Sequence, residues 1–176
     1  MSIVSFAGNT VSDAGWRDYL ALCKLKVVAV MLLTLVVGFC LAQPGLPSLS
    51  LLLITSIGVG LAAASAAAVN HVLDHNIDCC MARTARRPLP QGRVSPGNAL
   101  LFAAVIGSAG LLLLATLVNP LTAVLTLASL IGYAIVYTAV LKRATPQNIV
   151  IGGVAGAAPP LMCWSCLLYT SPSPRD

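Results

Sequence analysis

The chain has 176 residues, of which 58% are hydrophobic and only 9% charged, with a mean hydropathy of +0.92. These values lie outside the soluble globular range and indicate an integral membrane protein. The formal net charge of +5 would suggest nucleic acid in a soluble chain, but the placement of the basic residues gives it another origin, and no nucleic-acid partner is expected.

In chain order, residues 1 to 23 carry Asp13 and Asp18 and lack an apolar core followed by a small-residue cleavage site, so neither a signal peptide nor an Arg-rich transit peptide is expected. Apolar runs able to cross a hydrocarbon core of about 30 Å follow at Leu25 to Ala42, Leu49 to Val69, Ala99 to Val118 and Leu121 to Leu141, and a fifth begins near Ile149. They are continuous Leu, Ala and Val runs without period-2 alternation, which predicts helices and excludes a transmembrane barrel. The predicted fold is an all-α, polytopic transmembrane bundle of about five spans.

Arg17, Lys24 and Lys26 precede the first span, Arg83, Arg86, Arg87 and Arg93 follow the second, and Lys142 and Arg143 follow the fourth. Nine of the ten basic residues thus fall on one side, whereas the opposite turns, QPGLPS and NP, carry no charge. The positive-inside bias puts the amino terminus and the loop after the second span in the cytoplasm, and a bacterial inner membrane is the expected location. Of the six cysteines, Cys23, Cys79 and Cys80 fall on that reducing side, so packing residues are expected rather than a disulfide framework.

The chemistry concentrates in NHVLDHNIDCCMARTARRPLP, residues 70 to 90. Asn70, Asp74 and Asp78 are spaced i, i+4, i+8 and share a helical face within about 80°. Asp74 and Asp78 are the only carboxylates near a span, because the chain has no glutamate and its other acids are Asp13, Asp18 and Asp176. Such oxygen donors suit Mg²⁺, which is commonly shared between carboxylates and phosphate oxygens. Arg83, Arg86 and Arg87 follow within ten residues, and the planar guanidinium suits phosphate. The combination describes a site for a metal-bound diphosphate whose lipid tail lies in the bilayer. Two other readings stay open on spacing alone. One is a solvated, mutually paired loop. The other is metal or haem-iron ligation by His71, His75 and Cys79, also at i, i+4, i+8 on a face about 100° away.

The pattern N-x3-D-x3-D-x2-M-x-R-T-x2-R-P-L, spanning Asn70 to Leu89, resembles the first Asp-rich motif of the UbiA-type intramembrane prenyltransferases. YTAVLKRATPQNIVIGGVAGAAPPL, Tyr137 to Leu161, is similar to the segment that marks the protohaem IX farnesyltransferase (haem O synthase) branch, and WRDYLALCKLKVV resembles its start, with Leu25 where proline is expected. The resemblance implies transfer of a farnesyl group from farnesyl diphosphate to a vinyl group of haem b, giving haem O. It implies Asn70, Asp74 and Asp78 as Mg²⁺ and diphosphate residues, with Arg83 and Arg87 on the diphosphate. Lys142 and Arg143 are placed to reach the same headgroup, and Tyr137 to line the pocket. A relative that prenylates a quinone precursor or a chlorophyll-type acceptor is the alternative, as is a non-enzymatic haem- or metal-binding membrane protein.

Gly152 and Gly156 form a GxxxG suited to close helix approach, and Pro159-Pro160 interrupts helical hydrogen bonding. The resemblance covers residues 12 to 164. The family is expected to continue through about four more helices, nine in all, and a second Asp-rich motif. Residues 1–164 are therefore expected to be the amino-terminal part of a prenyltransferase domain, inactive by itself, and the Ser/Pro-rich residues 165–176 a non-native tail.

Overall fold

The computed structural model describes residues 14–42, 48–82, 84–85, 87–134 and 158–167. All regular structure among them is helical: α1 (Trp16–Leu22), α2 (Leu25–Ala42), α3 (Leu49–Leu73), α4 (His75–Cys80), α5 (Pro96–Leu117), α6 (Pro120–Ile131) and a helical stretch over residues 158–167. Three helices, α2, α3 and α5, are long and apolar enough to cross a membrane. The expected fourth span begins as predicted, but its described helix, Pro120–Ala134, is shorter than a span. Residues 135–141, and the start of the fifth span with the Gly152/Gly156 pair, lie outside the described residues.

The helix ends follow local chemistry. Ser95 caps α5 by accepting from the Asn98 N–H at 3.2 Å, and Asn119 caps α6 through Oδ1 to the Thr122 N–H at 2.7 Å, each followed by proline at the first helical position. The uncharged NP turn thereby reverses the chain between α5 and α6. At the other end of the first span, α1 and α2 meet at Lys24, the one non-glycine residue with positive φ (47°) among the described residues.

Helix α3 is the centre: 56% of its most apolar stretch is buried, against 22% for α2 and for α5. Its seam with α5 is built from small residues. A Cβ at Gly110 would sit 2.7 Å from the Gly58 carbonyl oxygen, one at Gly107 would sit 2.6 Å from Ser65 Oγ, and Ser65 donates to the Ala103 carbonyl at 2.7 Å. In lipid, where apolar side chains gain little from leaving their surroundings, such backbone approach is a main source of helix association. The close-approach signal of the sequence stood at Gly152/Gly156; among the described residues it is realised by Gly58, Gly107 and Gly110.

The 158–167 stretch packs on α2, with Pro160 and Cys163 against Gly38 and Cys163 Sγ donating to the Leu35 carbonyl at 3.0 Å. Cys23, Cys163 and Cys166 are buried; Cys40, Cys79 and Cys80 are exposed, and no disulfide forms among the described residues. Burial pushes the Cys23 thiol up, consistent with a packing role. The expected tail boundary at residue 165 falls inside this helical stretch, where Ser165 Oγ lies 2.9 Å from Thr122 Oγ1.

Candidate active site

At the end of α3 the helix turns without losing its hydrogen-bonding rhythm. Asp74 stays in the right-handed helical region (φ −86°, ψ −2°), its N–H donates to the Asn70 carbonyl at 3.0 Å, and the Asp78 N–H donates to the Asp74 carbonyl at 2.8 Å. The i, i+4, i+8 spacing therefore survives the break between α3 and α4. Asn70, Asp74 and Asp78 share the inward face and are each no more than 5% exposed.

That burial removes the reading of a solvated loop, because carboxylates this inaccessible need partners. Arg87 Nη1 donates to Asp78 Oδ2 at 2.6 Å, with the Asp78 side chain 7% exposed and that of Arg87 33%. Lys24 Nζ, reaching across from the α1/α2 junction, donates to Asn70 Oδ1 at 2.9 Å. Thr84 Oγ1 donates to the Asp78 carbonyl at 3.1 Å. The intervening loop turns back through bonds from the Thr84 N–H to the Met81 carbonyl and from the Arg87 N–H to the Thr84 carbonyl, and it is pinned by the buried side chains of Leu89 and Val94. A second ion pair, Arg93 Nη1 to Asp18 Oδ1 at 2.6 Å, ties α1 to the same loop, and Asp18 also accepts from the Gly15 N–H.

Two cavities share the lining residue Lys24 here. An apolar one of about 490 Å³ runs between α2, α3, α6 and the 158–167 helix, lined by Met31, Ala63, Ala67, Tyr133 and Met162 among others, with Lys24 on its wall. A polar one of about 530 Å³ is lined by Arg17, Lys24, His71, Arg87 and Arg93. The first is lined mainly by apolar side chains and the second by basic ones, of which Arg87 and Arg93 are paired with Asp78 and Asp18.

The alternative ligand set separates. His71 is 3% exposed while Cys79 is exposed, and no group of three or more His, Cys, Asp or Glu side chains gathers as a metal site among the described residues. On α4 Asp78 is the buried position and Cys79, the next one round the helix, is exposed, which is the physical reason. His71 instead faces the polar cavity, and neither ring nitrogen has a hydrogen-bond partner among the described residues.

Of the other residues singled out by the sequence, Arg83, Arg86, Tyr137, Lys142 and Arg143 lie outside the described residues. Sequence reasoning did not assign Lys24, Asp18, Thr84 or Arg93 to the site. Lys24 is 46 positions from Asn70, beyond any local pattern, and its sequence signals were its place among the basic residues on the same side of the membrane and within the WRDYLALCKLKVV stretch.

The model of the UbiA prenyltransferase family matches residues 31–174. The chain is 58% identical over 164 residues to the protoheme IX farnesyltransferase of Idiomarina loihiensis, covering 92% of this chain and 55% of that protein. It is 59% identical over 151 residues to the protein of that name from Saccharophagus degradans (86% and 50%), and 60% identical over 152 residues to that from Legionella pneumophila (86% and 52%). The chain thus spans about half the length of the curated relatives it matches, and no solved structure matches it. A small-residue helix bundle with a buried Asn70/Asp74/Asp78 face belongs, on this match, to the UbiA prenyltransferase family.

Proposed function

We propose that the protein containing this chain transfers a farnesyl group from farnesyl diphosphate to a vinyl group of haem b, giving haem O, and that Asn70, Asp74 and Asp78 hold the Mg²⁺-bound diphosphate. The observation that carries the reading is the burial of these three donors beside Lys24 and Arg87, next to an apolar cavity. The acceptor assignment is supported by the relatives' name, protoheme IX farnesyltransferase, and by the Tyr137 to Leu161 resemblance.

The donor set fits the metal. Two carboxylates and a carboxamide oxygen on successive turns offer hard oxygen ligands, and Mg²⁺ is held by one or two carboxylates together with substrate phosphates. Bound there, Mg²⁺ would neutralise charge developing on the departing diphosphate. The chain's own residues do the rest. The apolar cavity holds the isoprenoid tail away from water. Arg87, and Arg83 by the motif, supply preorganised cations toward the diphosphate as the allylic carbon–oxygen bond ionises. Asp78 keeps Arg87 in place until the anion arrives. Lys142 and Arg143 are further headgroup candidates, and Tyr137 a pocket candidate by the motif. The basic loop and amino terminus face the cytoplasm of a bacterial inner membrane.

The test is a chromatographic assay for haem O in membranes carrying this chain extended to the length of its relatives, supplied with haem b, farnesyl diphosphate and Mg²⁺. Formation of a prenylated quinone precursor with none of haem O would move the acceptor assignment to the other branch.

A further inference from the structure

The apolar cavity between α2, α3, α6 and the 158–167 helix has a floor. Away from the Asp-rich face, its last lining residues are Thr34 on α2, Val59 on α3, Thr126 on α6 and Met162. Thr126 Oγ1 lies 3.5 Å from Met162 Sδ. Val59 and Met162 also belong to the buried cluster with Leu35, Phe39 and Leu114, whose side chains are wholly inaccessible. These two residues are therefore cavity wall and packed core at once, and with Thr34 and Thr126 they close the cavity on that side.

The opposite end lies at the Asp-rich face, where Lys24 lines the cavity and donates to Asn70. Asn70 stands about three turns, or about 16 Å, from Val59 along α3. Along α2, Thr34 is about 15 Å from Lys24. Between these levels α3 lines the cavity with Ala62, Ala63, Ala66 and Ala67, whose methyl groups leave its length open. A three-bond peptide unit spans at most about 3.6 Å when extended, so a four-bond isoprene unit spans about 4.8 Å, three units about 14 Å and four about 19 Å. A three-unit tail held by its head at Asn70 reaches the floor, and a four-unit tail overruns it.

We infer that this floor sets the length of the prenyl donor: Val59 and Met162 stop the tail after three isoprene units, so a farnesyl donor is selected over one a unit longer. This rests on the diphosphate reading of the Asp-rich face, which fixes the head end, but not on the identity of the acceptor. The selection is steric, because an isoprenoid tail gains little by exchanging lipid for an apolar wall. Truncating Val59 and Met162 to alanine removes about five non-hydrogen atoms, the size of one isoprene unit.

In the extended protein purified in detergent, calorimetric affinities with Mg²⁺ are measured for geranyl, farnesyl and geranylgeranyl diphosphate and for inorganic diphosphate. The unaltered protein is expected to prefer farnesyl to geranylgeranyl diphosphate by about tenfold or more, since even one misplaced methylene is discriminated to that extent in a fitted apolar pocket. The double variant Val59→Ala/Met162→Ala is expected to erase that preference, and Met162→Ala alone to narrow it. Ala63→Leu fills space rather than removing packing, so it keeps the fold, and it raises the floor by about one turn. It is expected to weaken farnesyl diphosphate by about tenfold or more while geranyl diphosphate is retained. Affinity for inorganic diphosphate stays put in all three variants. A length preference unmoved in folded Met162→Ala and Ala63→Leu proteins would overturn the inference, as would an equal change for all three prenyl donors. If haem O never forms while the length preference follows the floor, the acceptor assignment falls and the floor stands; if haem O forms while the preference ignores the floor, the acceptor assignment stands and the floor falls. Inorganic diphosphate binding that survives Asp74→Asn intact would remove the head site, and the floor reading with it.

Discussion

The middle of α3 and its carboxy-terminal end solve opposite problems. In its middle, Gly58 and Ser65 meet Gly110 and Gly107 of α5, and the helices are joined by backbone approach with almost no polar chemistry. At its end, Asn70, Asp74 and Asp78 are just as buried but are surrounded by Lys24, Arg87 and Thr84. A seam of small residues tolerates no added volume, whereas a buried polar face tolerates no lost partner. One therefore fails by separation of helices and the other by loss of chemistry in an intact bundle.

The largest effect concerns the polar end taken alone. After Asp78 the only acid in residues 1–176 is Asp176, so this stretch offers one Asp pair, and charge stabilisation from one side is expected to be insufficient for diphosphate ionisation. Residues 1–176 in membranes with haem b, farnesyl diphosphate and Mg²⁺ are expected to give no haem O by chromatography, while the extended chain does. Product from the short chain would mean that one Asp pair suffices.

Next comes the seam. Gly110→Ala places a Cβ 2.7 Å from the Gly58 carbonyl oxygen and 3.0 Å from Leu61 Cβ, and is expected to destabilise the bundle by about 1–3 kcal/mol. Gly97→Ala, in the first turn of α5 with nothing within 4 Å, is expected to be neutral or to stabilise by up to about 1 kcal/mol. Thermal unfolding in detergent separates the two; equal midpoints would show that the seam does not depend on close approach.

At the polar end, Arg87→Ala in the extended protein removes the partner of the buried Asp78 carboxylate and is expected to lower the unfolding midpoint, and also to raise the donor Michaelis constant by about tenfold. A fall in stability without a kinetic change would make Arg87 a structural counter-ion only. The smallest effect is expected from His71→Ala, which removes a ring with no hydrogen-bond partner among the described residues and should reduce haem O formation less than Arg87→Ala. A complete loss there would return the metal to the histidine face.

Orientation can be read from native side chains. Cys79 and Cys80 are exposed beside the Asp-rich face, so an impermeant thiol reagent is expected to label them only after permeabilisation, as detected by peptide mass spectrometry. Labelling in intact cells would invert the topology.

How much of this could be seen in the residues alone depends on the range of each interaction. The starts of α2 and α3 at Leu25 and Leu49 matched the apolar runs, since hydropathy is a local property. The Asn70/Asp74/Asp78 face was legible because four-residue spacing maps directly onto a helix. That Asp78 is buried while Cys79 beside it is exposed depends on what packs against α4, which the spacing does not record, and this kept the His/Cys reading open. Lys24 to Asn70 and Arg93 to Asp18 bridge 46 and 75 positions, distances at which a single sequence carries no pairing signal. The α3/α5 seam was hidden for a related reason: Gly107 and Gly110 are three apart, and only the partner helix shows that they face Gly58 and Ser65.

The central claim is that the buried carboxylates at the end of α3 do metal-diphosphate chemistry rather than packing. The direct measurement compares haem O formation by the extended protein with that by its Asp74→Asn and Asp78→Asn variants, across a Mg²⁺ titration, alongside membrane expression. Each variant is expected to accumulate normally and to lose at least about a hundredfold in rate, with wild-type activity abolished by chelation and recovered on adding Mg²⁺. Asparagine variants that form haem O at the wild-type rate with the same Mg²⁺ dependence would contradict it.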